Sequence, residues 1–263
     1  MFDVCVNIHS EQFDKDRFAI LERAKEAQVT HIALIGSCLE STKTSIELCR
    51  KLHIPTEEMR YITSVGIHPH HAKDFTTHMW EEMTRLADDP FVKAIGECGL
   101  DYNRNFSTPA EQRLCFIEHI HLAKKMGKPL FLHQRDAITD FLAIIDDHAT
   151  QIPKLVHCFT DGIETVEALV ERGCYIGITG WIADDRRNAS VQEAIHKIPL
   201  DRLVIETDAP WLIPRNMPRH RKIGRNEPSF LPYVVDSISQ CLDIPSETII
   251  EQSTKNARNF FAI

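Results

Sequence analysis

Eight short runs of this chain are apolar at nearly every position rather than at every second one. They cover residues 2–7, 31–35, 61–66, 92–96, 130–132, 154–156, 174–177 and 203–205. Such runs suit parallel strands buried on both faces, whereas strands with one wet face alternate. Amphipathic segments of helical period fill the gaps. The clearest predicts a helix over 109–126, where Thr108 caps the start, Pro109 takes the first helical position and Glu111 completes a capping box. Gly127 ends it, with Pro129 close behind. Further helices are predicted over 163–172, 230–241 and 246–261.

Eight strands with helices between them indicate an α/β chain folded as a (β/α)8 barrel. A doubly wound open sheet is the alternative, and it would place a glycine-rich phosphate loop after the first strand. Asn7-Ile8-His9-Ser10-Glu11 stands there instead. No repeat, low-complexity tract or linker divides the sequence, so residues 1–263 are expected to form one domain.

Composition narrows the function classes. A formal net charge of −8 argues against a protein that coats nucleic acid nonspecifically, but leaves room for an enzyme with a local basic rim. One basic segment exists: Arg215, Arg219, His220, Arg221, Lys222 and Arg225 lie within eleven residues that hold no acid. The eight cysteines form no C-x-x-C pair and mostly sit in apolar runs, as expected of reduced thiols in a cytoplasmic protein. There is no signal-peptide pattern at the start and no apolar stretch of the roughly 18 residues that a membrane span needs. A soluble protein, expected to be a monomer and without a membrane partner, follows from this reading.

Four of the apolar runs stop on metal-type ligands: Glu97, His133, His157 and Asp208, the last in Glu206-Thr207-Asp208. One such residue after a strand is usually a solvated loop residue. Four, each at the C-terminal end of a separate strand, are brought to one rim, where barrels carry their chemistry. A mixed set of imidazoles and carboxylates there reads as a divalent-metal hydrolase site. Glycines flank Glu97 and let other groups approach closely. Asp208 is placed to bind metal or to take a proton from attacking water, and Glu206 shares its side-chain parity. His68 could orient a phosphate or protonate a leaving group; His70 and His71 are expected to be solvated. Arg135 could face a phosphate oxygen, and Trp181 and Trp211 could stack on bases.

Taken together, these motifs resemble the TatD family of metal-dependent deoxyribonucleases, a branch of the amidohydrolase-like barrels. The matching pieces are Gly66-Ile67-His68-Pro69-His70, Ile95-Gly96-Glu97-Cys98-Gly99-Leu100-Asp101, Leu132-His133-Gln134-Arg135, His157-Cys158-Phe159-Thr160, Glu206-Thr207-Asp208-Ala209-Pro210 and Asn226-Glu227-Pro228. The resemblance runs along the whole chain. Asn103-Arg104-Asn105-Phe106 and Gly180-Trp181 point to the family's namesake group rather than a distant paralogue.

The resemblance implies divalent metal at Glu97, His133, His157 and Asp208, with Asp208, Glu97 and His68 as catalytic residues. It further implies 3′-to-5′ exonuclease action on single-stranded DNA and RNA, with a part in DNA repair or turnover. Arg135, Arg104, Trp181, Arg215 and Arg225 are the expected substrate contacts. Magnesium is the expected ion, with manganese or zinc as alternatives, and one or two ions bound. One departure stands out: many family members carry H-x-H on the first strand, where this chain has Cys5 and Asn7. Asn7 or His9 could still donate, since both share a strand face with Cys5. Two other readings are a metal-dependent C–N or ester hydrolase of the wider amidohydrolase group, and a noncatalytic nucleic-acid-binding protein.

Overall fold

The computed structural model describes residues 1–56, 58–218 and 224–263. Eight strands form one parallel sheet in sequence order: β1 (Phe2–Val6), β2 (His31–Leu34), β3 (Arg60–Val65), β4 (Val92–Asp101), β5 (Leu130–Arg135), β6 (Lys154–Val156), β7 (Tyr175–Ile178) and β8 (Leu203–Ile205). Past the end of β8 the chain returns to β1. Asn7 N donates to Ala209 O at 2.8 Å, and Asp208 N donates to Cys5 O at 3.0 Å. These bonds close the sheet into a (β/α)8 barrel, as the apolar runs predict.

Two glycines govern where the rim lies. The fourth apolar run was expected to stop at residue 96 and the fifth at 132, but β4 continues to Asp101 and β5 to Arg135. Gly96 (φ +138°) and Gly99 (φ +139°) adopt backbone that side chains disfavour, and a Cβ on either would sit 2.0 Å from a β5 carbonyl oxygen, Phe131 O or His133 O. The register of β4 against β5 shifts between Ile95 and Cys98. Glu97 and His133 therefore lie inside extended strands rather than just after them. Hydrophobicity alone could not show this, because the added residues are polar.

The helix predicted over 109–126 forms as α4 (Pro109–Met126), the fourth of nine α-helices among the described residues. Its capping box joins Thr108 and Glu111, and Gly127 takes the left-handed conformation (φ 62°) at the stop. The C-terminal helix α9 (Ser246–Phe261) lays Phe260 and Phe261 against Phe2 at the start of β1. It seals the end of the barrel opposite the strands' C-terminal rim. Among the described residues, no helix is long and apolar enough to cross a membrane. All eight cysteines are free thiols, five of them buried.

Candidate active site

The C-terminal rim surrounds a cavity of about 650 Å³ lined by residues from several strand ends, among them Asn7, His68, Glu97, His133, His157 and Asp208. Glu97 is its centre. Its Oε1 lies 2.9 Å from His133 Nδ1, 2.8 Å from His157 Nε2 and 3.3 Å from His68 Nε2. Burial alone would raise the Glu97 carboxyl, but the imidazoles of His157, His68 and His133 outweigh it and hold the group well below the usual carboxylate range.

Two of these nitrogens, His133 Nδ1 and His157 Nε2, stand 3.3 Å from each other. Nitrogen donors at about 2.0–2.1 Å from a tetrahedral ion are separated by about 3.3–3.4 Å, so their spacing fits a shared ion. The far side of each ring fits as well. His133 Nε2 and His157 Nδ1 are buried with no hydrogen-bond partner among the described residues. Each faces a carboxylate: Asp101 Oδ2 at 3.4 Å from His133 and Glu206 Oε2 at 3.7 Å from His157. A carboxylate behind a ligating imidazole fixes its tautomer and raises its basicity. The donor set could hold a divalent cation.

Asp208 sits beside this group, and its Oδ1 accepts from Asn7 Nδ2 at 3.1 Å. Burial, reinforced by Glu206 and Glu97, pushes its carboxyl up to about 7, against the pull of His157. Glu206 is fully buried and accepts from Cys158 N. A Cβ at Gly177 would fall 2.7 Å from Glu206 Oε1, so β7 leaves room for this carboxylate by having no side chain there. His68, half-buried and flanked by other histidines, is lowered to about 4 by its loss of solvent and is neutral near pH 7.

The other sequence-predicted residues divide. Arg104, Arg135 and Trp181 line the cavity. Trp181 offers less than expected for stacking, because the Arg187 guanidinium covers its ring at 3.6 Å and its indole Nε1 donates to Arg187 O. Asn7 reaches the cavity; His9 does not line it and its Nδ1 has no partner among the described residues. Arg215 and Arg225 are also absent from the lining. Arg215 faces Asp184 at 3.7 Å, and Arg225 is bound to Asp16 and lies over the Phe13 ring. Arg219, His220, Arg221 and Lys222 lie outside the described residues.

Three residues escaped the sequence reading. His70, expected to be solvated, lines the cavity with its Nε2 2.7 Å from Asp101 Oδ2. Asp101 itself is buried. Its carboxyl, which burial would raise, is held low by His133, His70 and the Arg104 backbone amide. Glu97, Gly99 and Asp101 have the same strand parity, which would have revealed Asp101 had β4 been extended. Arg187 follows a helical turn after β7 and carried no sequence signal beyond its charge.

The TatD-related DNase family matches residues 2–262. The chain belongs to this family. A 3′-5′ ssDNA/RNA exonuclease TatD from Erwinia billingiae (strain Eb661) is 40% identical over 265 residues, spanning 100% of this chain and 99% of its own. The protein of the same name from Salmonella typhimurium is 37% identical over 264 residues, again 100% of this chain and 99% of the relative. Among solved structures, a TatD family hydrolase from Entamoeba histolytica superposes with a TM-score of 0.89 at 23% identity, covering 99% of this chain and 97% of that one. A TatD homolog from Escherichia coli gives 0.87 at 24% identity, covering 100% and 98%. These structures share the fold of the TatD family member described here.

Proposed function

We propose that this protein is a divalent-metal-dependent exonuclease that degrades single-stranded DNA and RNA from the 3′ end. Relatives bearing that name, matched over nearly their full length at 37–41% identity, support the reading. The observation that carries it is the convergence of His133 Nδ1 and His157 Nε2 on one oxygen of Glu97, at 2.9 and 2.8 Å. The whole chain would act as one barrel unit.

Glu97, His133, His157 and Asp208 would hold the ion or ions. When bound, a divalent cation supplies Lewis-acid polarisation of the scissile phosphate and acidifies water beside it. The two imidazoles in the set favour manganese or zinc over magnesium, while the carboxylates suit all three. Asp208 accepts the proton of the attacking water at its carboxylate, which lines the cavity and is oriented by Asn7 Nδ2. His68, as a neutral imidazole, orients a phosphate oxygen rather than delivering a proton. Arg104, Arg135 and Arg187 line the cavity and balance phosphate charge. Asp101 positions His133 and His70 from below.

Polarity is tested with end-labelled single strands whose 3′ or 5′ end is blocked. Degradation that stops with the 3′ block supports the assignment. Degradation that stops only with the 5′ block contradicts it.

A further inference from the structure

Cys5 lies on β1 with no exposed surface, and its Sγ stands 3.5 Å from Asp208 Oδ1. Read alone, this is a weak S–H···O contact. A third donor argues for more. Cys5, His157 and Asp208 each offer an atom, and all three atoms lie within 4.8 Å of one another. Bonds of about 2.3 Å to sulfur and about 2.1 Å to oxygen at a tetrahedral angle place the two donors about 3.6 Å apart. The observed 3.5 Å between Cys5 Sγ and Asp208 Oδ1 meets that spacing. His157 is also incompletely satisfied: its Nδ1 is buried without a partner among the described residues, with Glu206 Oε2 behind it at 3.7 Å.

We infer that Cys5, His157 and Asp208 form a thiolate-bearing divalent-metal position where His157 and Asp208 line the cavity, with Cys5 behind them, selective for thiophilic ions such as zinc, cobalt and cadmium over magnesium. The inference rests on the metal-dependent reading of His157 and Asp208 given above and adds Cys5 to it. On binding, the S–H bond gives way to a sulfur–metal bond and the proton leaves to solvent; no electron changes hands. Soft thiolate and imidazole donors beside one carboxylate favour these ions, whereas an all-oxygen set would favour magnesium. His157 would then serve this ion rather than one shared with His133, leaving Glu97, His68 and His133, whose donor atoms also group within 4.8 Å, for a separate position.

The test is a cobalt titration of the full-length protein after chelator treatment, followed by absorbance in the thiolate-to-cobalt charge-transfer region. The wild type should develop this band. Cys5→Ser and Cys5→Ala should lose it, while Cys158→Ser, which removes the thiol that lines the cavity, should keep it. Cadmium affinity should fall at least about tenfold in Cys5→Ser, with manganese affinity changed by less than about threefold. Cobalt binding without the band, or a band that persists in Cys5→Ser, overturns the role of Cys5 and leaves the nuclease reading standing. No cobalt binding by folded wild type overturns both. Should neither Cys5 variant fold, a wild-type band retained in Cys158→Ser supports the inference and a band lost with Cys158 overturns it.

Discussion

The guanidinium of Arg187 lies 3.6 Å over the ring of Trp181, and Asp184 holds it there by accepting from Arg187 Nε at 2.9 Å. The same buried carboxylate binds Arg186 and faces Arg215, so one acid organises three arginines beside the cavity mouth. In a chain of net charge −8, this gives single-stranded substrate a local electropositive approach. Arg187→Ala should raise KM for single-stranded DNA about tenfold and reduce the slope of log affinity against log salt by about 0.7, the share of one phosphate contact. Asp184→Asn should weaken binding without abolishing turnover. An unchanged salt slope in Arg187→Ala would remove this residue from the substrate path.

Gly177 makes room for Glu206, the carboxylate behind His157. In Gly177→Ala the new Cβ would meet Glu206 Oε1 at 2.7 Å and the His157 Cα at 3.1 Å. Because the barrel interior cannot yield freely, the variant should lose about 1–3 kcal/mol of stability and displace Glu206. Metal affinity should fall by about 10–100-fold, the usual cost of disturbing a partner of a ligating imidazole. Calorimetric titration of manganese into the folded variant checks this; wild-type affinity would show that Glu206 does not support His157.

His119 links stability to pH. It is fully buried in α4; Ile67 N donates to its Nε2 at 2.9 Å, and its Nδ1–H donates to Cys115 O at 2.7 Å. Burial outweighs the Cys115 bond and lowers its pKa from 6.5 to about 4. The unfolded chain then binds a proton between these values that the folded chain refuses. Stability from the neutral ring is complete above pH 6.5 and is lost as pH falls toward 4, by up to about 3 kcal/mol. Urea unfolding at pH 7.5 and 4.5 should show this loss, and His119→Gln should show a smaller one. Equal losses would contradict the role given to His119.

The cap of α4 offers a control remote from the site. Thr108 accepts from Glu111 N, and the Glu111 carboxylate accepts from Thr108 N at 2.7 Å. Thr108→Ala should cost about 1 kcal/mol in thermal or urea unfolding and leave nuclease activity unchanged. A neutral stability effect would show that helix packing alone fixes this terminus.

The cap of α4 was readable from sequence because a capping box and a stop glycine are local devices, needing no tertiary partner. The barrel was readable for a similar reason: double burial leaves its mark on each strand separately. The residues Glu97, His133, His157 and Asp208 were legible as strand-end residues, and the structure places them around one cavity. What surrounds them was not. Asp101 and His70 pair across two strand ends, and their closeness depends on how far β4 extends past Gly99. Arg187 reaches Trp181 only through the turn that Asp184 holds. Arg225 read as a substrate contact, yet it binds Asp16, a residue 209 positions away in sequence. Long-range pairings of this kind leave no local pattern.

The metal-centred account is tested most directly by digestion of end-labelled single-stranded DNA across a magnesium, manganese and zinc series, with wild type and Glu97→Gln compared. The imidazoles of His68, His133 and His157 converge on this one carboxylate, so its neutral isostere should lose at least about a thousandfold in kcat while remaining folded, and chelator should silence the wild type. Full activity of Glu97→Gln, or wild-type digestion that survives chelation, would contradict the account.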